Sequence, residues 1–297
     1  VNYGYTSNSS LAYVNYGIIL CSVFNEYKDG YAFGQLGLEV NEKVKNTWFS
    51  TAIIENFGSQ IQHWQKASSK AIPYLKTAFD IGEESGDMLY ASYAFINIIG
   101  ISISYGRQLD SVFKLTNQFL SFVKNKKVVF AELITSYYFI FLKLLMSKNQ
   151  DIESSDKYLD SFKDLNDSNL LSFYYVLTIM PLYMLGFNEK ALSIARKSEE
   201  IIEYSTGMFY VPEHYFYYSL IISVLYNSFS QEKQKEYSLS RVGREKPPPP
   251  RQTGHADFPH PAFLKTLALG MHSYEPSFIT NRATPSAQIA HKRLFLS

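Results

Sequence analysis

Residues 183–200 read YMLGFNEKALSIARKSEE, an apolar run that stops at Gly186 and resumes as a charged, amphipathic one. Glycine reaches the left-handed backbone conformation that ends many helices, so Gly186 is placed to make a turn. Asn188 stands where a side-chain oxygen can cap the helix that follows. Ala191 and Ala195, four residues apart, give that helix a face without bulk, against which a partner helix can lie closely. An uncharged aromatic segment, a short break and a charged amphipathic segment therefore describe a helix hairpin, and the same order recurs along the chain at a period of about 40 residues.

Working outward, the spacing predicts a first hairpin from Leu11 to Phe24 and Asp29 to Val44, with Gly30, Gly34 and Gly37 lining one face of its second helix. The second joins Thr47 to Lys66 with Ser69 to Glu84, where Ala71, Tyr74, Leu75, Ala78 and Phe79 form the apolar stripe and Pro73 falls in or near the first turn, where a missing N–H costs least. The third joins Met88 to Tyr105 with Leu109 to Val123, buried through Val112, Phe113, Phe119, Phe122 and Val123. The fourth joins Val128 to Met146 with Ser154 to Leu165, whose inward residues are Tyr158, Leu159, Phe162 and Leu165. Leu170 to Leu185 with Asn188 to Tyr204 make the fifth, and Pro212 to Tyr226 with Gln231 to Tyr237 a truncated sixth. No stretch alternates apolar and polar residues between hairpin turns as a sheet requires. The expected fold is all-α: an α-solenoid of about six antiparallel hairpins over residues 1–240.

Composition changes after that. Eight of the eleven prolines lie in 247–297, beginning with Pro247 to Pro250, and helical periodicity ends. Residues 241–297 are expected to be an irregular, Pro-rich tail, whose composition fits either a natural linker or the frame-shifted end of a partial gene. Charge divides at the same place: residues 1–240 hold 20 Lys+Arg against 24 Asp+Glu, the tail 8 against 3. The helical part thus lacks the basic face that phosphate binding needs, which argues against nucleic acid as a partner. With 46% hydrophobic residues the chain can bury a sizeable core, and its 24 Tyr and 22 Phe suit helix interfaces filled by flat rings. Cys21 is the single cysteine, which excludes an internal disulfide and fits a reducing, cytoplasmic setting. Opening at Val1 without a signal pattern, the chain is expected to be a segment of something longer. Val1 to Asn25, Met88 to Gly106 and Ser168 to Asn188 lack charge over membrane-spanning lengths, but Asn, Ser, Gly and Tyr dilute them, Pro181 interrupts the third, and a mean hydropathy of −0.13 argues for a chain outside the bilayer.

The junction at Gly186, Phe187, Ala191 and Ala195 resembles a tetratricopeptide (TPR) repeat, although the period exceeds the usual ~34 residues and no Pro closes each unit. A closer resemblance covers about residues 8–205, carried by SSLAYVNYGIILCSVFNEYKDGYAFGQLGLEV (9–40) and IQHWQKASSKAIPYLKTAFDIGEESGDMLYASYAF (61–95). These look like the TPR-like helical-repeat region of large bacterial multidomain signalling proteins that join a kinase-like domain and a STAND-type ATPase to GAF sensor and histidine kinase modules. The resemblance implies a cytoplasmic scaffold that relays signals between flanking domains or partner proteins. It transfers no catalytic residue, because the nucleotide loop and the phospho-accepting His belong to other domains.

The residues themselves give little chemistry. No GxxxxGK[ST] loop is present, and Gly30, Gly34 and Gly37 fall within a helical pattern. His63 beside Trp64 offers an imidazole and a stacking ring, with packing the simpler reading. His214 with Glu213 lacks further ligands at HExxH or similar spacing and reads as a surface residue. His255, Asp257 and His260 in GHADFPH have ligand-like spacing without a core to hold them. Cys21 among Leu20 and Val23 reads as a small buried hydrophobe. Glu83-Glu84 and Glu199-Glu200 read as solvated helix ends. On the concave surface that a superhelix exposes, Tyr with Asn or Gln can line a partner-binding wall, and Asn15, Gln62, His63, Trp64, Tyr93 and Asn97 are the candidates. No catalytic residue, metal ligand or cofactor is expected, and the partner is expected to be protein. The rival readings are a free-standing peptide-binding module, such as the effector region of a transcription regulator, and an enzyme of unrecognised helical type.

Overall fold

The described residues fold into helices, some buried along one stripe and others nearly all round, as over Ser172–Leu182. The computed structural model describes residues 6–45, 48–146 and 153–239, among which there are twelve α-helices and no strand. The tail expected from residue 241, with His255, Asp257 and His260, lies outside the described residues. Two compact units are present. One takes in the described residues up to Asp164 together with Ser205–Phe209, the other Leu165–Tyr204 and the described residues from Tyr210.

The first unit contains α1 (Ser7–Ser22), α2 (Tyr27–Val44), α3 (Ser50–Asn56), α4 (Ile72–Ser85), α5 (Met88–Ser104), α6 (Leu109–Lys126), α7 (Val129–Met146) and α8 (Glu153–Asp164). Each of these helices packs on its neighbour in sequence, and α3 also packs on α1 and α5, and α5 on α7. The glycine face predicted for α2 is the closest of these contacts. A methyl group at Gly30 would overlap the Cys21 Sγ and lie 2.7 Å from the Gly17 carbonyl oxygen. At Gly37 it would sit 2.5 Å from Val14 Cγ2 and 2.8 Å from the Ser10 carbonyl oxygen. Gly34 instead receives Phe57 and Ile61, whose side chains would lie 2.8 and 2.9 Å from an added methyl. Further along, α4, α5 and α6 meet through phenylalanines: Phe95 stacks on Phe119 at 4.0 Å, and Phe79 meets Phe95 edge-on at 5.0 Å.

Two helix ends follow local chemistry closely. Pro73 lies in the first turn of α4, where its missing N–H leaves nothing unpaired. Asp87 caps α5 by accepting from the Tyr90 N–H at 3.3 Å. The helix expected from Thr47 to Lys66 is not uniform: α3 stops at Asn56, a π-helical turn runs Phe57–Ile61, and a 3-10 turn runs Gln62–Trp64. Packing overrides propensity here, because Phe57 and Ile61 seat on Gly34 of α2 while Gly58 lets Leu75 of α4 approach to within 3.1 Å of where a methyl would stand. Leu165, expected to face inward at the end of the fourth hairpin, is 38% exposed, since α8 ends at Asp164.

In the second unit α9 (Ser168–Met184), α10 (Asn188–Ile201) and α11 (Val211–Leu225) pack on one another, and α12 (Gln231–Leu239) completes the described chain. Gly186 (φ 85°) turns the chain as its position predicts. The Gly186 N–H donates to the Tyr183 carbonyl at 3.1 Å and the Phe187 N–H to the Leu182 carbonyl at 2.9 Å, the paired bonds that close a helix C-terminus. Asn188 does not cap α10: it is the first helical residue, Phe187 holds the cap position, and the Asn188 Oδ1 is buried with no partner among the described residues.

Replacing Gly30 with Ala forces α1 and α2 apart at a backbone-to-backbone contact. Gly30→Ala is expected to lower the stability of the folded chain by about 1–3 kcal/mol, read from the urea midpoint, because neither Gly17 nor Cys21 can rotate away.

Candidate functional site

Glu55 is the one Asp, Glu, Lys or Arg between residues 46 and 65, and α3 carries it into the interior of the first unit at 2% exposure. Its Oε1 accepts a hydrogen bond from the Asn97 Nδ2 of α5 at 2.9 Å, and the Ser59 side chain bonds it from the π-helical turn. No cation pairs with it among the described residues. Desolvation therefore outweighs the two hydrogen bonds and pushes its carboxyl up to about 7. At 1.36 kcal/mol per pKa unit, the rise from 4.5 amounts to roughly 3 kcal/mol, lost as pH rises from 4.5 towards 7.

Beyond the π-helical turn the chain remains polar inside. Gln62 is 1% exposed, with its Nε2 donating to the Ala67 carbonyl at 3.4 Å and its Oε1 buried without a partner. Both His63 ring nitrogens are buried and neither reaches a hydrogen bond of good geometry. Burial pushes His63 down to about 4, and the nearby backbone of Gly207 and of Ser59 opposes this only in part. Trp64 is a packing residue: its ring stacks on Tyr27 at 4.6 Å and its Nε1 donates to the Gln60 carbonyl at 3.1 Å. Glu55, Ser59, Gln62 and His63 thus form a polar seam along one stretch of chain, with Asn97 and Tyr90 facing it from α5.

Of the residues the sequence singles out, Asn97 meets Glu55 from α5, while Gln62 and His63 follow the π-helical turn with buried polar atoms of their own. Tyr93 lies one turn from Asn97 on α5, 36% exposed, with its ring 5.2 Å from Phe130 and 6.0 Å from Tyr90. Asn15 is exposed on α1 and forms none of the seam's hydrogen bonds. Glu55 is missing from the sequence reading, although a lone acid in an apolar, aromatic stretch is a usable signal.

The remaining titratable groups are enclosed as well. Cys21 is buried and its thiol is pushed up to about 12, which makes it inert as a nucleophile. His214 corrects the surface expectation: it is fully buried in α11, between the rings of Tyr215 and Tyr218 at 4.9 and 5.6 Å, with both nitrogens unbonded. Its place near the helix start beside Glu213 suggested exposure, but it lies on the buried face of α11 with Tyr217, Tyr218 and Ile221. Among the described residues no three His, Cys, Asp or Glu gather where they could hold a metal ion.

Desolvation holds His214 at about 4, below its ordinary 6.5, so the unfolded chain binds the proton more tightly. Stability from this group is complete above pH 6.5 and lost as pH falls to about 4, by roughly 3 kcal/mol. His214→Leu is expected to remove that part of the acid sensitivity, seen as urea midpoints that fall less than those of the unmodified chain between pH 6.5 and 4.

No protein-family model matches the chain. A stretch of 123 residues, 41% of the chain, is 30% identical to hybrid signal transduction histidine kinase G of Dictyostelium discoideum. The match covers 4% of that protein, so this chain corresponds to a small part of its length. The similarity supports a signal-transduction context for the chain.

Proposed function

We propose that the chain is a non-catalytic, TPR-like α-solenoid segment that binds protein and relays signals within a cytoplasmic multidomain sensor kinase. The observation that carries this reading is the packing of alternate helices, α1 on α3, α3 on α5 and α5 on α7, as stacked hairpins require, in a chain similar to part of a hybrid histidine kinase. Partners in this reading are flanking domains of the same protein or a signalling partner, and the flanking domains include the kinase-like and ATPase modules. Small rotations between hairpins would change how those domains meet.

The non-catalytic assignment draws support from enclosure: Glu55, His63, His214 and Cys21 all lie inside helix packing. Val129–Met146 is long and apolar enough to cross a membrane. Its buried Tyr137, Tyr138, Phe141 and Leu142, together with the ring contact of Tyr137 on Phe162 of α8 at 5.7 Å, support a role as a core helix.

Deleting residues 8–240 from the natural gene product tests the reading. Kinase output is expected to lose its response to at least one stimulus while the basal phosphorylation activity survives. Output unchanged under every stimulus removes the relay role.

A further inference from the structure

The hairpin of α1 and α2 is apolar on two of its faces, and the described residues cover one of them. On the covered face Leu11 and Ile18 of α1, with Tyr27, Tyr31 and Leu38 of α2, pack on the cluster of Ile53, Phe57 and Ile61. Round α1 from there, Tyr16, Ile19 and Val23 stand 44–62% exposed, with Ala12 exposed in the same row. Positions 12, 16, 19 and 23 follow the spacing that an α-helix presents to one partner helix. Phe33 of α2 borders the row, its ring 4.8 Å from Tyr16 and 6.2 Å from Tyr13. No Asp, Glu, Lys, Arg or His lies between Thr6 and Asn25, whereas the exposed residues of α2 include Lys28, Asp29, Glu39, Glu42 and Lys43. α1 therefore has the composition of an interior helix. α5, which opens its hairpin as α1 does, shows that form completed: it packs on α3, α4, α6 and α7, and every residue from Ile98 to Ile103 is buried.

We propose that the row Ala12, Tyr16, Ile19 and Val23, bordered by Phe33, is the seat of a further helix hairpin that precedes α1 in the natural polypeptide. The docking helix brings an uncharged row of aliphatic and aromatic side chains at the same spacing, because a charge set on this face would be buried without a partner. Size selects this occupant over a second copy of the chain. α1 has 16 residues and is about 24 Å long. A stable interface between separate proteins draws on about 20–30 residues a side, far more than this row offers. A helix in the same polypeptide needs no such area, since attachment supplies an effective concentration on the order of millimolar. Continuity points the same way. The covered face of the hairpin already takes a helix of its own chain, and α1 on α3, α3 on α5 and α5 on α7 form a series that the bare row extends by one step. The proposal rests on the stacked-hairpin part of the function proposed above and is independent of the relay.

Ile19→Glu sets a carboxylate in the row, and hydrogen exchange over α1, read by mass spectrometry, reports the result. In the chain of 297 residues, where Ile19 is exposed, exchange is expected to change by less than about threefold. In the natural gene product the carboxylate would be enclosed, and exchange over α1 should rise about tenfold or more. A photoreactive benzoylphenylalanine in place of Val23 of the natural gene product identifies the occupant, and its crosslink is expected in a helix N-terminal to α1 of the same polypeptide. Equal exchange in the two proteins, or a variant that already loosens α1 in the chain of 297 residues, overturns the proposal. So does a crosslink to residues 241–297, to a second copy or to another protein, or no crosslink. Should Ile19→Glu fail to fold, the crosslink decides alone. Kinase output enters neither readout, so the relay can fail while the docking stands, and the reverse.

Discussion

Backbone-to-backbone contact between α1 and α2 constrains everything that packs on them. Gly17 and Gly30 bring the two helices so close that neither position admits a methyl group, and this approach carries Val14 and Cys21 of α1 into the cluster formed by Ile53, Phe57 and Ile61. On the same face of α2, one turn on, Gly34 offers the hollow that Phe57 and Ile61 fill. Gly58 admits Leu75 of α4. The stretch after α3 is therefore held from two sides by glycines, and its backbone takes a π-helical turn instead of continuing the α-helix.

That turn sets the electrostatics of the seam. Desolvation of an ionised Glu55 outweighs the bonds from Asn97 and Ser59, and what remains after them is a net rise equivalent to roughly 3 kcal/mol. The carboxyl accordingly keeps its proton up to about pH 7. Buried polar clusters of this kind often stabilise less than an apolar filling of the same volume, so stability alone does not account for Glu55, Gln62 and His63 inside this unit.

Features that depend on a few neighbouring residues were legible in the sequence. Gly30, Gly34 and Gly37 announce a close helix contact, Pro73 a first turn and Gly186 a left-handed stop, because each acts through backbone geometry within a turn or two. Features set by distant packing were not. His214 looks exposed beside Glu213 at a helix start, yet it is fully buried, with the rings of Tyr215 and Tyr218 against it. Asn188 has a capping side chain, but the turn at Gly186 places Phe187 at the cap position. Adjacent Gln62 and His63 belong to different faces of a helix, and their polar atoms are enclosed by separate neighbours, Gln62 by the Ala67 carbonyl and His63 by the backbone near Gly207 and Ser59. Glu55 shows the same limit, since nothing local to ENFGSQ says that Asn97, 42 residues away, will meet it.

A relay segment needs somewhere to yield. Helices joined through glycine contacts and stacked phenylalanines are bistable only at their interfaces, and a close-packed interface resists small displacement. The first unit contains a break in its α-helical backbone at residues 57–64 that holds the buried polar atoms of Gln62 and His63. The bond from Asn97 Nδ2 to Glu55 Oε1 at 2.9 Å ties α5 to α3 at this position.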